Sequence, residues 1–177
     1  YTADGNVRSV AVSSEGNYVV SGSYSSTLDN VHLFQKESNN PVREYESDGY
    51  NVMSVAISEN GDYIVAGTDN DTIILYSNNN NSELWSYQTG ATVSTVAISA
   101  NGSYIVAGSS DDKVYLFSKN SSTPLWTSTL SGDVDSVSIS ADGEYIAAAG
   151  GSGIGNAKVY LFDKDSSTPS WIHTISK

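Results

Sequence analysis

The chain repeats itself, and that limits its fold more than any other feature. The stretch "VSTVAISANGSYIVAGSSDDKVYLFSK" (Val93–Lys119) nearly restates "VMSVAISENGDYIVAGTDNDTIILYSN" from Val52. It returns as "VDSVSISADGEYIAAAG" at Val134 and, with more drift, as "VRSVAVSSEGNYVVSGS" from Val7. Three anchors hold phase through all copies. Gly16, Gly61, Gly102 and Gly143 lie 45, 41 and 41 residues apart, and each is followed two residues on by a tyrosine: Tyr18, Tyr63, Tyr104 and Tyr145. An aromatic closes a "V-x-L-F"-like run at Phe34, Tyr76, Phe117 and Phe162, and nine residues beyond it stand Arg43, Trp85, Trp126 and Trp171. A fixed period of this length means one small unit used four times, with the core between units.

Each unit reads as strands. "STVAIS" alternates Val96 and Ile98 with Thr95, Ala97 and Ser99, a period of two. "ANGS" supplies an Asn-Gly hairpin turn, "YIVAG" is a β-branched and aromatic run, and "SSDD" turns it into "KVYLF". A polar connection leads to an outer strand, "LWTST", where Pro124 is tolerated at the strand start. No segment carries a sustained apolar stripe at helical spacing. The pattern predicts an all-β propeller of four repeats of about 41–45 residues, each a four-stranded antiparallel blade. The single domain spans 1–177, with blades at about 4–46, 47–89, 90–131 and 132–177.

Composition narrows the partners. Twenty acidic residues against eight basic ones give a formal charge of -12, and the basic residues are scattered singly. Phosphate backbones and anionic membranes demand clustered Lys and Arg, so nucleic acid is not expected. No apolar run approaches the about 18 residues of a membrane span, and no membrane insertion is expected. The chain has no cysteine, hence no disulfide frame and no thiolate chemistry.

At this point the sequence resembles known families. "SVAISxNGxYIVAGSSDDKVYLF" resembles the WD-repeat consensus across three strands, with Asp111 on that family's structural aspartate and Phe117 on its tryptophan. "LFSKNSSTPLWTSTLSG" is similar to the repeats of pyrroloquinoline-quinone-type (PQQ-like) propellers, with Trp126 on the repeat tryptophan. The mixture resembles propeller repeats of prokaryotic, particularly archaeal, surface proteins. No repeat has the Gly-His pair of WD repeats or Trp at the Phe117 position. The resemblance therefore implies that the family's buried hydrogen-bond network is missing here and that apolar packing holds the blades.

Tyr1 falls in phase with Tyr87, so the segment opens part-way through an outer strand, whereas "SWIHTISK" already completes the last blade. That phase predicts a window from a longer array. Three architectures fit: a closed ring of four, half of a larger ring completed by a second copy, or an open array. Four blades left alone would expose two apolar faces, so self-association, as a homodimer completing a ring, is the expected partnership.

Chemistry is sparse. His32 and His173 sit where other repeats have Ile, Tyr or Ser, and read as strand variants. "GGSGIGN" around Ser152 lacks the order of a nucleophile elbow and the lysine of a phosphate loop. It reads as a hairpin loop three residues longer than its equivalents in blades two and three, and "SYSSTLDN" lengthens blade one likewise. Varied loops on a constant scaffold are where partners bind, which marks Tyr24, Ser25, Leu28 and Asp29, and Ser152, Ile154 and Asn156, as candidate contacts. The acidic pairs Asp69/Asp71, Asp111/Asp112 and Asp163/Asp165 read as turn residues, since calcium wants six to eight oxygens. The recurrent tryptophans and tyrosines read as packing between blades. No catalytic residue, metal site or cofactor is expected.

The sum is a non-enzymatic binding or structural module, extracellular or on the cell surface, that mediates protein association. The alternatives are part of a quinone-dependent dehydrogenase, from the tryptophan repeat, or an intracellular WD-type scaffold.

Overall fold

The computed structural model describes residues 5–24, 29–47, 49–79, 82–152 and 156–175. They form sixteen strands in four antiparallel sheets. The first sheet joins β1 (Asn6–Val12), β2 (Tyr18–Tyr24), β3 (Asp29–Gln35) and β4 (Pro41–Glu46) in chain order. The second joins β5 (Val52–Ile57), β6 (Tyr63–Thr68), β7 (Thr72–Ser77) and β8 (Ser82–Gln88). The third joins β9 (Val93–Ile98), β10 (Tyr104–Ser109), β11 (Lys113–Ser118) and β12 (Trp126–Thr129). The fourth joins β13 (Val134–Ile139), β14 (Tyr145–Gly150), β15 (Lys158–Asp163) and β16 (Trp171–Thr174). These are the four blades of a β-propeller.

The turn after each first strand is built the same way. In the third blade Gly102 N–H donates to Ser99 O, Ser99 Oγ accepts from Tyr104 N–H, and Gly102 takes φ +72°. Asn101 keeps an ordinary negative φ, so the Asn-Gly pair does not make the two-residue mirror-image turn its sequence invites. The turn bends at Ala100-Asn101 and delegates the left-handed residue to glycine. Serines at 13, 58 and 140 repeat the bond to the tyrosine five residues on.

First strands of successive sheets lie side by side, β1 on β5, β5 on β9 and β9 on β13, while the fourth strands splay outward. Three apolar clusters result, one per boundary. Val20, Val31 and Leu33 of the first blade pack on Val52, Val55 and Ile64 of the second. Leu75 and Ile73 meet Val93, Ile105 and Phe117, and Leu116 and Val114 meet Val134, Ile146 and Phe162. A blade has too little thickness to bury apolar surface within itself, so the core lies between blades.

Backbone bonds follow the same series. Ser14 N–H donates to Glu59 O, Glu59 N–H to Ala100 O and Ala100 N–H to Ala141 O, at 2.9–3.0 Å. Among the described residues the series does not return from Ala141 to Ser14. The four blades form an arc with two ends.

Candidate functional site

At the turn end of the arc, Ser13, Glu15, Asn17, Glu59, Asn60 and Asn101 line a recess of about 460 Å³. Its polar groups are tied into their own turns: Asn60 Nδ2 to Asp62 at 2.5 Å, and Asn17 Nδ2 to Glu15 at 3.1 Å. Sequence reasoning passed over this recess, because the "S-x-x-G" turns that build it look structural in each copy and only their convergence makes a concavity.

At the opposite end, loops of neighbouring blades are stitched together. The Asp111 carboxylate accepts from Gly90 N–H, in the connection that enters the third blade, at 2.8 Å, from Lys113 N–H at 3.1 Å and from the Tyr115 hydroxyl at 2.5 Å. Burial opposes its charge, but these hydrogen bonds, with the Lys113 ammonium 3.7 Å away, outweigh it and hold the carboxyl below the ordinary range. These bonds use neither a Gly-His pair nor a tryptophan and are exposed to part-buried, so they form a polar tie of another make beside the apolar packing. Asp111 thus ties the β8–β9 connection, the start of β11 and the Tyr115 hydroxyl together. The equivalent Tyr160 bonds to Ser131 Oγ at 3.0 Å; in the second blade that position is Ile74, and Tyr76, at the Phe117 position, donates to Glu46 O at 2.8 Å. In the second blade Asp69 takes the bonds, from the backbone and side-chain N–H groups of Asn51.

The two extended connections belong to the end blades, β2–β3 in the first and β14–β15 in the last. Tyr24 closes β2 beneath the Arg8 guanidinium, 5.4 Å from its ring centroid, and Asp29 opens β3 opposite Glu46. Ser25, Leu28 and Ile154 lie outside the described residues. The β14–β15 loop runs 151–157 against 69–71 and 110–112 in the middle blades, so it is four residues longer, not three. Its described residues are anchored: Gly151 N–H donates to Asp133 O at 3.2 Å, Ser152 Oγ to Ser131 O at 3.3 Å and Asn156 Nδ2 to Ser152 O at 3.1 Å. His32 is buried in β3 and stacks on Phe34, while His173 is exposed in β16. They stand on opposite end blades and form no pair.

The aromatic anchors behave differently by position. Trp85 and Trp126 pack on Phe117 and Phe162 of the next blade, centroids 5.2 and 5.3 Å apart. Trp171, at the same repeat position, is 48% exposed, and Tyr145 is 52% exposed. For these two the expectation of packing between blades is corrected, since no fifth blade follows them among the described residues. At the other end Val7, Val10 and Val12 are exposed although their equivalents Val52, Val55, Val93 and Val96 are core. Each end of the arc thus presents an apolar face.

Among the described residues no three His, Asp or Glu side chains gather as a metal site. The family model described as WD domain, G-beta repeat, matches residues 1–28, 39–77 and 82–118, more than half of the chain. Comparison with curated proteins gives no match. Among solved structures, a chain of Kuenenia stuttgartiensis hydrazine synthase is similar, with 16% identity and a TM-score of 0.84 over 99% of this chain and 51% of that one. The present chain therefore spans about half the length of that relative. Some 1640 solved chains match, and a likeness so widespread marks the architecture and selects no activity.

Proposed function

This chain belongs to the WD40 repeat family, and from that premise we propose that it is a non-enzymatic propeller module of an extracellular or cell-surface protein, mediating protein–protein association. The observation that carries the reading is the pair of exposed apolar end faces, Val7, Val10 and Val12 on the first blade and Tyr145, Trp171 and Ile175 on the last. Contiguous apolar surface rimmed by polar side chains is the mark of a protein-binding surface. The groups with shifted titration support it too. Asp111 is committed to a loop stitch, and the Tyr45 hydroxyl is pushed up to about 12 by burial, with Arg43 pulling weakly the other way. Both perturbations have structural causes and need no reaction to explain them.

The dehydrogenase reading fits the residues less well. A quinone bearing carboxylates needs cations, and the recess at the turns offers Glu15 and Glu59 with no Lys or Arg among its described lining residues.

The experiment is membrane-impermeant amine labelling and crosslinking of intact source cells, read with an antibody to the chain. Labelling from outside, with the chain in crosslinked protein species, is expected. Labelling only after lysis would overturn the location, and a chain that crosslinks to nothing would overturn the association.

A further inference from the structure

The two ends of the arc are built to fit each other. The internal boundaries draw on one set of contacts, complete at the second and third. The first lacks the lysine and indole parts, since Asn78 and Arg43 stand there instead. Each contact joins a leading group on one blade to a receiver on the next. The tyrosine two residues past the turn glycine lies over the glycine of the following blade, so that a Cβ on Gly61, Gly102 or Gly143 would strike Tyr18, Tyr63 or Tyr104. A lysine of that following blade caps the ring: Lys119 Nζ lies 4.3 Å from the Tyr63 centroid, and Lys164 Nζ 5.4 Å from that of Tyr104. The indole N–H of Trp85 or Trp126 donates to the carbonyl of that same lysine, at 2.8 and 2.6 Å. A serine or threonine hydroxyl accepts from the valine N–H one blade on: Ser9 from Val55, Ser54 from Val96 and Thr95 from Val137, at 3.0–3.3 Å.

The last blade carries the leading half of this set, with no blade laid on it among the described residues: Tyr145, Trp171, Ser136 and the Ala141 N–H. The first blade carries the receiver half: Gly16, whose added Cβ would meet nothing within 4 Å, exposed Lys36, Val10 and the Ser14 carbonyl. Val10 is 67% exposed where Val55, Val96 and Val137 are 5–8% exposed.

We propose that the last blade of one copy docks on the first blade of a second copy, head to tail, by the same contacts that join blades inside the chain. Tyr145 seats on the partner copy's turn glycine beneath its Lys36 ammonium, and Trp171 donates to the Lys36 carbonyl. This rests on the association reading above and names its partner. The chemistry that recognises the face is that of a blade whose first strand presents Val7, Val10 and Val12.

One residue sets this contact apart from the internal ones. Gly67 and Gly108 admit the next blade's valine so closely that a Cβ would lie 2.5 Å from Val93 or Val134 Cγ1. At that repeat position the last blade has Ala149. Its methyl group holds Val7 of the partner copy outward, so the contact between copies is looser than those within a copy.

The test is the mass of the purified chain by light scattering and sedimentation from low to high micromolar concentration. Salt is included because a charge of -12 on each copy repels at low ionic strength. A concentration-dependent dimer or longer assembly is expected. Val10→Glu and Trp171→Ala, both at exposed positions and with folding of each variant checked by circular dichroism, should each raise the dissociation constant by about tenfold or more. Mixing the two variants should restore a dimer, since one intact last face then meets one intact first face. Ala149→Gly should tighten association by about tenfold. A monomer at every concentration and salt would overturn the proposal. So would an assembly that Val10→Glu leaves intact, or an equimolar mixture that stays monomeric. A monomeric chain that still crosslinks to another protein on cells would overturn the second-copy partner and leave the association reading standing.

Discussion

The indole N–H of Trp126, in the third blade, donates to the backbone carbonyl of Lys164, in the fourth, across 2.6 Å. The same ring rests on Phe162, so one side chain fixes both the spacing of two blades and their register. Trp126→Phe keeps most of the apolar contact and leaves the Lys164 carbonyl unpaired, which should cost about 1 kcal/mol. Trp126→Ala should cost about 3 kcal/mol. Trp171→Ala, at the same repeat position, should change the stability of the dilute chain by less than about 0.5 kcal/mol. Urea unfolding of the three variants at low protein concentration checks the contrast.

Asp111 gives the chain an acid-sensitive joint. Its carboxyl is held below its ordinary range in the folded state. The stabilisation is therefore present above the unfolded value of about 4 and is lost as pH falls through the folded one. Asp111→Ala strands Gly90 N–H, Lys113 N–H and the Tyr115 hydroxyl together, with an expected loss of about 2–3 kcal/mol near neutral pH. Unfolding free energies between pH 2 and 6 should converge for the two proteins at the acid end. A constant gap across that range would refute the assignment.

Tyr45 is the corresponding joint at high pH. Burial, against a smaller pull from Arg43, raises its hydroxyl from 10 to about 12. Between those values the unfolded chain has lost this proton and the folded chain has kept it, so stability should fall as pH rises from 10 to 12. The hydroxyl is buried with no hydrogen-bond partner among the described residues. Tyr45→Phe should therefore be neutral or stabilising at pH 7, and should flatten the alkaline decline. Urea midpoints at pH 8, 10 and 11 for the pair decide it.

Asp112 adopts φ +68° in the β10–β11 turn, and Asp71 φ +64° in the β6–β7 turn. Aspartate tolerates this conformation and a β-branched side chain does not. Asp112→Gly should hold stability or raise it by up to about 0.5 kcal/mol, the relief of the left-handed backbone offsetting the extra freedom of the unfolded chain. Asp112→Val should lose about 1–2 kcal/mol. Thermal unfolding of both variants gives the sign.

The repeat phase carried most of the architecture. Glycine, tyrosine and tryptophan spacing located four blades, their turns and the side chains that pack between them, because alternation and turn chemistry are local and each copy confirms the others. The hydrogen-bond stitch at Asp111 was missed. Its partners are a backbone N–H in the β8–β9 connection and a tyrosine hydroxyl four residues on, and neither stands out in a pattern searched for histidine. The β14–β15 loop was found as an insertion, but its anchoring on Ser131 and Asp133 depends on where the neighbouring connection runs.

By itself the sequence determined the blade: its strands, its turns and the residue types that face a neighbour. Only the tertiary structure decided which copies of those residues have one. Trp126 and Trp171 occupy the same repeat position, yet one is pinned between two blades and the other stands in solvent. The reason is that burial belongs to a pair of surfaces and not to a residue. Across the three boundaries of the described residues, the first and last copies keep apolar side chains at the same positions with no described residue laid against them.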